Sequence, residues 1–360
     1  MHSNKRSTMS TALTVLLVSI GVLAGCSSED PVTPPAATDL QPALSHATNS
    51  VIIPIYSDLD TQAGMLVTAI TELQANPTQT ELDEARAAWR ATRIPWENSE
   101  AFLFGPVDTE GIDPSIDSWP VNEVDLNAVL SGSDVLTQAF IDGLEGTLKG
   151  FHTIEYLLFG LNGNKLPSEL TTREFEYLVA CSQSLKGQTA RLVAAWSTTG
   201  DDFGANIVNA GETGSIYISQ KAALQELANG MLTIADEVAN GKINDPFVQM
   251  DVTLEESRFS NNSKADFQDN IRGIGFMYEG DYRANGDNMS TLIRSIDADL
   301  DSRFVAAVDN AVTMIGAIPG TFTTAIFDNR PAVEEAQRAV RAVQQILEEE
   351  ILPLIANQIQ

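Results

Sequence analysis

Two side chains in the run Gly150-Phe151-His152-Thr153-Ile154-Glu155-Tyr156-Leu157-Leu158-Phe159-Gly160 have the types and spacing for chemistry. On a helix, His152 and Glu155 project from one face, three positions apart. An imidazole nitrogen beside an anionic oxygen can ligate a metal, pass a proton or balance charge inside a core. The flanking Phe151, Ile154, Leu157 and Leu158 point to burial, and Gly160 suits a helix end because it has no Cβ to clash. Two readings of the pair therefore stand together: a buried histidine neutralised by a carboxylate, and part of a metal site.

The rest of the chain narrows the chemistry. A zinc peptidase of the His-Glu-x-x-His type needs glutamate directly after the first histidine and a second histidine one turn on. Thr153 and Tyr156 stand in those places, and the only other histidine beyond the leader is His46, so a multi-histidine zinc centre is not expected. Cys181 reads as a small buried residue rather than the partner of a Cys/His dyad. One histidine with several carboxylates, projecting inward from helices, is the ligand set of iron and manganese sites in bundles. A second face supplies carboxylates: Trp89, Arg93, Trp96, Glu97, Glu100 and Phe104 share one broad side of a helix. Arg93 either pairs with Glu97 or Glu100, or this face meets the His152 helix and Glu100 becomes a third ligand. A short echo favours comparing the two glutamates, since Glu100 and Glu155 each precede a helix-ending glycine (Gly105, Gly160) by five residues.

Helical spacing dominates the elements that must position these residues. Helices are expected over 51–73, 80–104, 123–130, 134–159, 168–196, 215–240, 264–279, 289–315 and 331–359. Thr80 is the expected cap of the second, with Pro95 inside it; Ser263 with Asp266 reads as a capping pair, and Pro331 suits a first turn. Strand-like alternation is scarce, so the fold class is all-α. The length beyond residue 40 exceeds what one core usually organises, which predicts two helical-bundle subdomains, 41–165 and 166–360.

The front of the chain reads as a lipoprotein signal peptide over 1–25: Lys5 and Arg6, an apolar run over 13–22, then Leu23-Ala24-Gly25-Cys26. Cys26 is the expected lipidated residue, and 26–40, with Pro31, Pro34 and Pro35, the expected disordered tether. Ser27 stands where an inner-membrane retention signal would carry aspartate, so the expected location is the outer membrane, facing the periplasm. The full chain carries a net charge of −28; the leader takes two of the 21 basic residues and none of the 49 acids, which leaves −30. Such a surface repels nucleic acid and anionic headgroups, so the lipid is the only membrane contact expected.

Taken together, the Leu23-Ala24-Gly25-Cys26 lipobox, Trp89…Arg93-Ile94-Pro95-Trp96-Glu97…Glu100-Ala101-Phe102-Leu103-Phe104-Gly105-Pro106, Asp117-Ser118-Trp119-Pro120, Gly150-Phe151-His152-Thr153-Ile154-Glu155, Glu256-Ser257-Arg258-Phe259-Ser260 and Asp266-Phe267-Gln268-Asp269-Asn270-Ile271 resemble the imelysin-like family, whose hallmark is Gly-x-His-x-x-Glu. The resemblance implies two helical-bundle domains, a site near their interface, and bacterial, periplasm-facing proteins associated with iron uptake. It places Arg93, Glu100, Ser260 and Asn270 near that site. The family was once grouped with insulin-cleaving metallopeptidases, a label that the missing second histidine does not support here. The expectation is a lipid-anchored protein that binds iron, or a ligand containing it, in iron acquisition, with iron-transport components as partners. His152, Glu155 and Glu100 would be metal ligands, and Arg93, Ser260 and Asn270 would contact the ligand. Binding would weaken below about pH 6 as the imidazole protonates. The alternatives are a metallopeptidase with an atypical site, and a metal-free interaction module docking a partner on the Trp89/Trp96 face.

Overall fold

Helix-forming runs and their stops account for nearly all of the backbone. The computed structural model describes residues 38–359, and no strand forms among them. Eight helices carry the architecture: α1 (Ile53–Ala75), α2 (Gln79–Ser99), α3 (Gly150–Phe159), α4 (Thr172–Trp196), α5 (Gln220–Glu237), α6 (Ser263–Glu279), α7 (Ala298–Ala317) and α8 (Arg330–Ile346). α1 packs on α2 and α4, and α3 on α2 and α4; α6 packs on α5 and α7, and α8 on α5 and α7. α2 lies directly on α6 and joins these two groups of helices. A boundary at 165/166 would cut between α3 and α4, which pack against each other, so the first group runs on to Trp196.

Several helix ends differ from expectation for local reasons. Thr78, not Thr80, caps α2: its backbone is extended, and its hydroxyl accepts from the Glu81 N–H at 3.3 Å. Ser263 does not cap α6, because its hydroxyl donates to Glu255 at 2.8 Å, and Asp266 faces Arg93 instead. The run 289–315 breaks at Asp297, whose Oδ1 accepts from the Asp299 and Leu300 N–H groups and starts α7. The run 134–159 breaks more deeply, into Gln138–Asp142, a 3-10 turn at Gly146–Leu148, and α3. Pro331 does sit in the first turn of α8.

Three wide, π-type turns extend helices at Ala47–Ile52, Val238–Lys242 and Leu347–Ile351. Leu40 is buried and its N–H donates to Gln220 Oε1 at 2.7 Å, so the folded body begins before residue 41. The expected signal peptide, Cys26 and most of the expected tether lie outside the described residues. Among the described residues no single helix is long and apolar enough to cross a membrane.

Candidate metal centre

Close backbone approaches assemble the centre between α2, α3 and α6. Gly150 opens α3 with φ at +76°, and a Cβ there would stand 2.2 Å from the Ile116 carbonyl oxygen. Only glycine lets α3 start against that backbone, and the contact sets His152 Nε2 3.1 Å from Asp117 Oδ1. Across the centre, a Cβ on Gly273 of α6 would stand 2.3 Å from the Asn98 carbonyl oxygen. That proximity brings Asn270, about one turn earlier, to the end of α2. Asn270 Nδ2 donates to Glu97 Oε2 at 2.6 Å and Glu100 Oε2 at 2.7 Å. The wide turn Val238–Lys242 then delivers Lys242, whose Nζ donates to Glu100 Oε2 at 2.6 Å and Glu256 Oε1 at 3.1 Å.

His152 has a carboxylate against each ring nitrogen. Nδ1 lies 3.3 Å from Glu155 Oε2, and Glu155 Oε1 accepts from both the N–H and the hydroxyl of Ser260 at 2.7 Å. Glu155 thus orients the ring and leaves Nε2 facing Asp117 and Glu256, as a carboxylate behind a metal-ligating histidine does. Nε2 meets Asp117 Oδ1 off the ideal N–H line, so the contact at 3.1 Å is an ion pair rather than a well-aligned hydrogen bond. Burial alone would lower its affinity for protons, but the Asp117 and Glu155 carboxylates hold the imidazole up to about 9. The ring is therefore an imidazolium at neutral pH, and a cation on Nε2 would replace one of its protons. The Trp119 indole lies half-buried over this ring, with centroids 5.9 Å apart, and 5.6 Å from Lys242 Nζ.

Arg93 is enclosed by acids. It donates to Asp117 Oδ1, to Glu256 Oε1 at 2.8 Å and, at 3.4 Å, to Asp266 Oδ1, and it pairs with Glu97 Oε1. Trp96 Nε1 adds a donor to Asp117 Oδ2 at 2.7 Å. Burial would raise Asp117, yet the Arg93 guanidinium and His152 hold it well below the usual carboxylate range. Burial wins at Glu97 and Glu100, which are raised well above that range despite Arg93 and Lys242, and it lifts Asp266 to about 6. Glu97, Glu100, Asp117, Glu155, Glu256 and Asp266 thus crowd around two buried permanent cations, Arg93 and Lys242, with Arg90 at the edge beside Ser260. A cluster so rich in acid either keeps protons or takes up a further cation.

The expected trio of His152, Glu155 and Glu100 does not converge. Glu155 uses its oxygens on His152 and Ser260, and Glu100 is turned towards Lys242 and Asn270. Among the described residues the buried sets that do converge are Asp117, His152 and Glu256, and Glu97, Glu100, Asp117 and Glu256, each with ligand atoms within 4.8 Å of one another. Arg93, Ser260 and Asn270 all lie in the cluster, where they hold its carboxylates. Asp117 and Glu256 are not among the site residues expected from the sequence, although their segments carry the resemblance; Lys242 has no signal in its neighbours. Trp89 and Trp96 are fully buried, so their face docks no partner. Cys181 is also buried, and burial pushes its thiol up to about 12, which suits a packing residue. His46 is used elsewhere, with Nε2 2.6 Å from the Gly280 carbonyl oxygen.

Comparison with known proteins agrees with this architecture. Residues 52–351 match the imelysin family model. Iron-regulated protein A of Synechococcus elongatus is 31% identical over 318 residues, which is 85% of this chain and 84% of that protein. A crystal structure of a putative iron-regulated protein A precursor from Parabacteroides distasonis superposes with a TM-score of 0.77 at 27% identity, covering 90% of this chain and 96% of that one. An imelysin-like protein from Psychrobacter arcticus shares the fold, with a TM-score of 0.71 at 14% identity over 87% of this chain and 94% of that one. By its matched length and its all-helical fold, the chain belongs to the imelysin family.

Proposed function

We propose that this protein binds a metal cation, iron first, as cargo at the junction of His152, Asp117 and Glu256, and acts in iron acquisition. The observation that carries the reading is the buried convergence of His152 Nε2 with carboxylate oxygens of Asp117 and Glu256, within 4.8 Å of one another, with Glu256 Oε2 left unpartnered. An unpaired buried carboxylate oxygen is costly, and a cation beside it that takes the place of the His152 proton would remove that cost. One imidazole with two carboxylates suits iron(II) or manganese(II) better than a soft metal. Glu155 and Ser260 would hold the imidazole, and Arg93 would hold Asp117 and Glu256. The iron-regulated names of the relatives support an iron-related role. In the same reading, acylation of Cys26 fixes the protein to the cell envelope, facing the periplasm, where iron-transport components would exchange the cargo.

The test is metal content by mass spectrometry on the full chain, incubated with iron(II) without oxygen and with other divalent metals, then desalted. Wild type should keep close to one equivalent, and His152→Ala and Glu256→Ala, with folding checked by circular dichroism, should lose it. A wild type that retains no metal would sink the proposal.

A further inference from the structure

Lys242 takes no part in holding His152, yet it stands against three of the four members of the second converging set. Its Nζ lies 2.6 Å from Glu100 Oε2, 3.1 Å from Glu256 Oε1 and 3.5 Å from Glu97 Oε2. These three glutamates and Asp117 bring ligand oxygens within 4.8 Å of one another. A buried ammonium ringed by carboxylates occupies the place of a bound cation. Two further observations set it apart from an ordinary ion pair. Glu256 Oε2 is buried and unpartnered, so the ammonium does not use up the donor capacity of the set. Lys242 also ends a π-type turn, and the inserted residue of such a turn rotates the side chains after it by about 100°.

Asp117 and Glu256 belong to both converging sets, so the two halves share a wall of carboxylates. We propose that Lys242 is a tethered counter-cation that fills the second position of a two-cation centre and keeps free metal ions out of its four-carboxylate half. The first position rests on the His152 half being a metal site; the role of Lys242 itself rests on its own contacts. An all-oxygen set of this kind would accept a hard divalent ion. Lys242 then sets how many cations the centre takes.

The experiment compares full-chain wild type with Lys242→Met, which keeps the aliphatic stem and drops the charge. Mn²⁺ is the probe, read by calorimetric stoichiometry and by the thermal midpoint with and without the ion. Lys242→Met should take up one equivalent more than wild type, and Mn²⁺ should raise its midpoint further than it raises that of wild type. Where the variant does not fold alone, Mn²⁺ should restore its helical circular dichroism. A folded variant with wild-type stoichiometry, or one still unfolded at saturating Mn²⁺, would overturn the proposal and leave Lys242 a plain ion-pair partner. The two readings fail separately. A metal-free wild type beside a variant with one equivalent removes the His152 site and keeps this inference; one equivalent in each does the reverse.

Discussion

His152 faces Asp117 across one nitrogen and Glu155 across the other, with Arg93 opposing them from α2, and this placement has a signed consequence for pH. Its folded value of about 9 lies above the ordinary imidazole value of about 6.5, so the imidazolium stabilises the metal-free fold. That contribution is complete below about pH 6.5 and is lost as pH rises through about 9; it is on the order of 3 kcal/mol. Denaturant unfolding of wild type and His152→Gln from pH 6 to pH 10 should show the gap between them closing. For the cation the sign is opposite. Binding must displace a proton, so affinity should keep rising up to about pH 9 instead of levelling off above about pH 6. Calorimetry at pH 7 in buffers of different ionisation enthalpy should register about one proton released per metal bound. Asn270 gives a second expectation. Asn270→Ala leaves Glu97 and Glu100 without the amide between them and should cost about 1–3 kcal/mol, read as a lower denaturant midpoint.

At the scale of elements, the start of α3 decides the site. Gly150→Ala places a Cβ against the Ile116 carbonyl at positive φ and should cost about 2–5 kcal/mol. Because the same contact brings up Asp117, His152 should titrate closer to its ordinary value, visible in its ring proton shifts. Thr78→Ala removes a cap far along α2, should cost about 1 kcal/mol, and should leave that titration unchanged. The contrast marks what was legible in the sequence. Helix identity comes from apolar spacing, and α2, α4 and α6 lie close to where that spacing puts them. The break before α3 does not, because Gly146 and Gly150 meet the backbones of Pro114 and Ile116, residues more than 30 positions away. Periodicity reports the face of a helix and is silent about which remote carbonyl will touch its end. For the same reason His152 and Glu155 could be named from spacing, whereas Asp117, Glu256 and Lys242 come from three separate segments.

At the scale of the molecule, Arg93 fastens the two groups of helices. From α2 it reaches Asp117, Glu256 and Asp266, which belong to three different segments. Arg93→Met would leave these carboxylates buried without their guanidinium, at a cost of about 3–5 kcal/mol. Hydrogen exchange should then quicken in 255–262 and at the start of α6 before it quickens in α1 or α4. The echo between the two glutamates also takes spatial form. Glu155 accepts from Ser260 and Glu100 from Asn270, so a glutamate near each apolar helix end is held by the same stretch of the second group.

Of the four tryptophans, Trp89, Trp96 and Trp196 are fully buried, and Trp119 alone is partly exposed, beside both His152 and Lys242. The protein therefore carries its own fluorophore at the centre. A paramagnetic ion arriving at His152 would quench both Trp119, over the imidazole ring, and Trp96, whose Nε1 donates to Asp117 Oδ2 at 2.7 Å, so filling of the centre can be followed in real time without a label.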